Sequence, residues 1–190
     1  MLAFVVLSAA IGGVGAAPQD PPSPVKETKI NVFEEALKAE SLGQMVATAD
    51  AVVIGDISGE PATRKIEEKG KPMVLTLHDV QIVEVVAGAL PSKPAKITLA
   101  RRGGSVLTGN ERLTAINQTS LDLPSGRYVL FVDWSAPLDA YTIAYGADGA
   151  YRVTSDQLTP LGRSPIAQNL AKVRRPDLAA ALKASTAKAQ

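Results

Sequence analysis

The longest apolar run outside the N-terminus is Met73 to Val86, MVLTLHDVQIVEVV, and its many β-branched residues read as one long strand. Apolar side chains fall at Met73, Leu75 and Leu77 and resume one step out of phase at Val80 and Ile82, so the inward face is expected to change sides near His78 and Asp79. A β-bulge there would produce the change. A strand of this length that bends midway can pair in both halves of a small curled barrel.

Around that strand the pattern predicts further elements. Ala51 to Ile57, AVVIGDI, is a first strand, and Ser58 to Lys71 is a polar connection with Gly and Pro punctuation. Ala95 to Ala100 alternates, with Ile97 and Leu99 on one face, and is expected to pair with the end of the long strand as a hairpin. Arg127 to Trp134 is almost continuously apolar, as in a strand buried on both sides. Asp139 to Tyr145 and Ala150 to Thr154 read as two more strands joined by a tight turn at Asp148-Gly149. Between these, Arg101 to Leu123 holds few periodic apolar residues and several turn formers; it is either a functional lid or partly ordered by Val106, Leu107, Leu113 and Ile116.

Two helical stretches flank the strands. In Val32 to Ala49, Phe33, Ala36 and Leu37 share a face, and a second start at Ser41 leads Leu42, Met45, Val46 and Ala49; one kinked helix or two short ones fit equally. Beyond Pro160, Ile166, Leu170 and Val173 precede Pro176, and Leu178 and Leu182 follow it, with Pro176 suited to the first turn of a second helix. Gln19 to Lys29 carries three prolines among polar residues and reads as an extended linker.

The order of these signals resembles exported bacterial proteins with a netrin/tissue-inhibitor-of-metalloproteinase-like domain. The likeness rests on Ala49-Asp50-Ala51-Val52-Val53-Ile54-Gly55, on Val83 to Gly88 at the end of the long strand, and on Gly126 to Phe131, and spans roughly residues 41 to 155. It implies a mainly β fold: a small five- to six-stranded OB-like antiparallel barrel, a short helix before the first strand and a C-terminal helical extension. It also implies a non-catalytic binding role outside the cytoplasm. Tissue inhibitors present a disulfide-tied N-terminal cysteine to the catalytic zinc of their target, and this chain has no cysteine, so that mechanism does not carry over.

Residues 1–16 have an apolar core from Leu2 to Ile11 and a small-residue finish at Val14-Gly15-Ala16, the pattern of a Sec-type signal peptide cut before Ala17, although no Lys or Arg precedes the run. The expected organisation is a signal peptide over 1–16, a Pro-rich linker over 17–30, the barrel domain over 31–160 and a basic helical extension over 161–190. The expected location is periplasmic or secreted. The absence of cysteine removes disulfides, thiolate metal sites and cysteine nucleophiles together. Net charge is +1, which argues against a generic polyanion binder. From Leu161 onward, however, six Lys and Arg residues stand against Asp177 alone, so the C-terminal helices can touch an anionic membrane surface or simply be solvated.

Chemistry-bearing residues are sparse. His78, the sole histidine, can serve a hydrolase only with a distant serine and carboxylate; the plainer reading is an exposed or hydrogen-bonded strand residue. No metal-ligand spacing, calcium loop or nucleotide-binding fingerprint occurs, and no cofactor is expected. Asp133 and Asp139 read as turn-forming acids at strand ends rather than an acid/base pair. The ligand-binding candidates are Arg101 and Arg102, beside the Gly103-Gly104 pair and able to grip a carboxylate or phosphate, and Tyr141, Tyr145 and Tyr151, which on adjacent strands can form an exposed stacking face. With export, the expected partner is a protein, peptide or envelope component rather than a nucleic acid.

Overall fold

The structure is a computed structural model that describes residues 24–32, 37–91, 94–117 and 121–187. Among them are eleven strands: β1 Lys26–Val32, β2 Ala51–Ile57, β3 Ala62–Glu68, β4 Lys71–Gly88, β5 Lys96–Arg102, β6 Gly104–Thr108, β7 Glu111–Asn117, β8 Gly126–Ser135, β9 Ala140–Ile143, β10 Ala150–Thr154 and β11 Gln157–Pro160. The helices are α1 Leu42–Thr48, α2 Pro165–Leu170 and α3 Leu178–Ala187. The fold is mainly β and OB-like. Strands pair in the order β8-β2-β4-β5-β9, and β9 returns to β8, so five strands form a ring. The ring is antiparallel except between β5 and β9, which run parallel and share a single register pair, Leu99 with Tyr141. It is therefore closed by a narrow seam.

Two strands turn the corners of this ring. The first seven residues of β4 pair with β3, and from Val80 onward the same strand pairs with β2. Likewise, β8 pairs with β10 through Arg127 to Leu130 and with β9 through Val132 to Ser135. Alternation along β2 and β8 then builds two cores at once. Ala51, Val53, Tyr128, Leu130 and Val132 point into the ring with Val80, Ile97 and Leu99. Val52, Ile54, Val129 and Phe131 point outward and are covered by Met45 of α1, Leu170 of α2, and Leu178 and Leu182 of α3. Burial on both faces is why these two strands read as unbroken apolar runs.

Local chemistry sets the helix boundaries. At α1, the Ser41 hydroxyl accepts from the Gln44 backbone N–H at 3.1 Å, while the Gln44 side chain accepts from the Glu40 backbone N–H at 2.7 Å. At α2, Ser164 caps Ala167 at 3.1 Å and Pro165 occupies the first turn.

Several sequence expectations need correction. The long strand runs to 18 residues, but its bulges fall at Val83 and Val86, where the register against β2 shifts, and not at His78-Asp79. Val74, Thr76, His78 and Val80 all face inward without a change of phase; Leu75, Leu77 and Met73 are apolar because the opposite face is covered too, by Ala100, Leu138 and Ala140. What changes at His78-Asp79 is the pairing partner. β5 pairs with Leu75 to Gln81, the middle of β4 rather than its end.

The polar connection after β2 contains β3, and the expected loop from Arg101 to Leu123 contains the β6–β7 hairpin; Val106 and Leu113 do order it, whereas Leu107 and Ile116 are exposed. The expected linker enters the fold at Lys26, since β1 pairs parallel to β7 and buries Val32 against Val74, Leu113 and Ala115. β9 and β10 are not a hairpin. They follow one another along the same edge of β8, joined by a 3-10 turn over Gly146–Gly149 with positive φ at Tyr145 and Gly146, and Gly149 is required because a Cβ there would sit 1.9 Å from the Ala144 carbonyl oxygen. The C-terminal segment packs as part of the core. Phe33 and Ala36 lie outside the described residues.

Candidate functional site

The seam of the ring is where a site can form. Beyond the Leu99–Tyr141 pair the two parallel strands part. The residues that follow on each, Ala100 to Arg102 on β5 and Thr142 to Ile143 on β9, line a half-enclosed cavity of about 530 Å³. That volume lies within the usual range of small-ligand sites. Leu121 and Leu161 add apolar wall, the corner from Ala144 to Asp148 closes one side, and Arg163 stands on the loop after β11. The corner is held in an uncommon conformation: Tyr145 has φ 61° and ψ 18°, the left-handed region that a bulky side chain seldom enters. Its hydroxyl hydrogen-bonds the Thr48 hydroxyl, which also donates to the Gln44 carbonyl at 2.6 Å, so the corner is tied to the end of α1.

Three of the candidate residues meet here: Arg101, Arg102 and Tyr145 all line the cavity. Their side chains are engaged. Arg102 holds Glu68 through Nε at 3.2 Å and Nη2 at 2.8 Å, a two-point contact that draws the Glu68 carboxyl below its ordinary range. Arg101 Nε donates to His78 Nε2 at 3.3 Å. His78 is buried inside the fold, and desolvation, with the Arg101 charge added, brings its pKa down to about 4. At neutral pH the ring is uncharged and its Nε2 lone pair is directed at a guanidinium, the situation of a structural acceptor rather than of a poised base. Asp133 also lines the cavity; burial raises its pKa, while the Asp50 backbone N–H, 3.1 Å from Oδ1, acts in the opposite sense. Asp139 sits in the left-handed region ending a 3-10 turn, a turn-forming acid as its spacing indicates.

The exposed tyrosine face does not exist. Tyr141, Tyr145 and Tyr151 are 6%, 7% and 0% exposed. Tyr141 points into the ring, whereas Tyr145 and Tyr151 belong to the helix-covered core, so alternation and the split of β9 from β10 send them to different interiors. Among the described residues the exposed aromatic is Trp134, edge-on to Tyr141 at 5.1 Å.

Neither a family model nor a curated protein matches the chain. Among solved structures, an OB domain from Thermoplasma acidophilum is similar at 12% identity with a TM-score of 0.27, over 67% of this chain and 89% of that one. A likeness so loose carries no argument, and the OB-like assignment rests on the strand order. Among the described residues no helix is long and apolar enough to cross a membrane, and no cluster of three or more His, Asp or Glu is placed to hold a metal ion.

Sequence reasoning missed Arg163, Asp148, Ile143 and Ala144 as members of the site. Ala144 and Tyr145 carry no local signal for the left-handed corner, and Leu161-Gly162-Arg163 reads only as a turn. Gly162 is needed because a Cβ there would lie 1.9 Å from Asp148 Oδ1.

Proposed function

We propose that this chain is an exported, non-catalytic OB-like module that binds a component of the cell envelope or extracellular space in the seam cavity. The observation that supports this reading is the parting of β5 and β9, which gathers Arg101, Arg102 and Tyr145 around one recess. Export is supported by the apolar N-terminal segment with its small-residue finish, and by the resemblance to exported bacterial netrin-like and tissue-inhibitor-like domains over residues 41 to 155.

The test uses the full chain expressed in a bacterial host. A photo-crosslinking residue replaces Leu37, which is 72% exposed at the cavity rim, and in a control it replaces Val83, exposed on β4 outside the cavity. The expected result is an adduct from position 37, absent at position 83, and lost when Ala147→Trp fills the recess. Equal adducts at both positions, or none at 37, would remove the binding site from consideration. Mass spectrometry of the recovered protein is expected to find Ala17 at the N-terminus; an intact N-terminal segment on cytoplasmic protein would remove export.

A further inference from the structure

The inner core of the ring is incompletely covered at one place. Leu121, Ile143 and Leu161 pack on that core yet remain half-buried, and all three line the seam cavity. An apolar body lodged there would complete the barrel core, removing their remaining surface from water.

The charged groups around the recess narrow the rest of the ligand. The Arg102 fork is turned to Glu68, and Arg101 Nε is directed at His78. Asp148 Oδ1 accepts from the Ser164 backbone N–H at 3.2 Å, and Asp133 Oδ1 from that of Asp50. Arg163, in contrast, is exposed at the cavity and makes no ion pair among the described residues. A guanidinium presents two parallel N–H groups that match a carboxylate. A dianion would meet two wall carboxylates, Asp133 and Asp148, so a singly charged acid suits the recess better than a phosphate ester.

Resting on the reading of the seam cavity as a binding site, we propose that it takes a small amphipathic acid. The apolar body of the ligand covers Leu121, Ile143 and Leu161, and its single carboxylate pairs with Arg163. The half-enclosed recess between strand ends suits a compact molecule rather than an extended peptide, which would require an unpaired strand edge along its length.

Calorimetric titration of the full chain with octanoate, octanamide and octyl phosphate tests this. Octanoate is expected to bind, octanamide about tenfold more weakly, as loss of one charge-assisted contact implies, and octyl phosphate no more tightly than octanoate. Arg163→Gln should erase the preference for octanoate over octanamide, Arg163→Lys should keep part of it, and Ala147→Trp should abolish binding of both. Equal affinities for the acid and the amide, tighter binding of the phosphate, or binding that survives Ala147→Trp would each overturn the proposal. If the position-37 adduct persists while octanoate gives no heat, the amphipathic-acid assignment fails and the binding site stands; if both are absent, both fail.

Discussion

Gly55 and Gly88 show how much one missing Cβ decides. Both belong to the stretches that carry the family resemblance, and sequence alone marks them only as framework positions. In the structure a Cβ on Gly55 would lie 2.4 Å from Val80 Cγ1, and one on Gly88 would lie 2.2 Å from the Asp50 carbonyl oxygen, with φ at +72°. Gly88→Ala is therefore expected to cost on the order of 3 kcal/mol in chemical unfolding, combining strain and overlap. The adjacent Asp50 explains the motif's acid: its carboxylate accepts from the Trp134 backbone N–H at 2.7 Å, fastening the start of β2 to the end of β8. Tyr151 gives an opposite case. Its hydroxyl is buried without a hydrogen-bond partner among the described residues, and burial pushes its pKa upward. Tyr151→Phe removes an unsatisfied group, so it should stabilise the fold by about 1 kcal/mol, read from the same unfolding curves; a loss would mean that a buried water serves the hydroxyl.

Elements with two covered faces were the legible ones. β2 and β8 announce themselves because ring and helices both demand apolar side chains from them, and β2 begins and ends where its pattern does. β3 has a single half-buried apolar residue, Ile66, and no periodic face; it is a strand because the protruding start of β4 offers it an edge. The β6–β7 hairpin has a local signal in its two-residue Gly109-Asn110 turn, with Gly109 at φ 59°, but its strands show few periodic apolar residues and are held by contact with β4 and β1. The same asymmetry hid the bulges. Apolar residues at Met73, Leu75 and Leu77 and then at Val80 and Ile82 mimic a phase change, whereas they serve three clusters on the two faces of the strand. At the C-terminus, hydrophobic spacing located the helices correctly, while their charge suggested a detached appendage. Leu182 is 1% exposed, packed in the cluster that includes Met45. Leu182→Ala should cost about 2–5 kcal/mol, measured by urea unfolding, as expected for a core position and not for a solvated tail.

Across the whole molecule, acid is the natural stress. His78 has a folded pKa near 4 against an ordinary value of 6.5, so between those values the unfolded chain binds more protons, and stability falls as pH drops. The contribution at stake is up to about 3 kcal/mol. Asp56 and Glu68 act in the same direction at lower pH: their guanidinium partners Arg127 and Arg102 hold them below ordinary carboxylate values, and those contributions disappear as they protonate. Urea midpoints should therefore decline first between pH 6.5 and 4, and His78→Gln should flatten that first decline without removing the second. A wild-type midpoint independent of pH over the upper window would show that the imidazole titrates normally. The sequence identified His78 as the sole histidine but not its depth, because its burial depends on which strands close over β4.

The pairing of α1 with α3 joins residues 42–48 to residues 178–187. During synthesis, α1 emerges long before the α3 residues that complete the cover of Met45, and β1 waits for β7 in the same way. Such long separations favour slow, all-or-none assembly. A nascent chain with these contacts outstanding stays pliable, and its outer core is sealed only once α3 has docked beside α1.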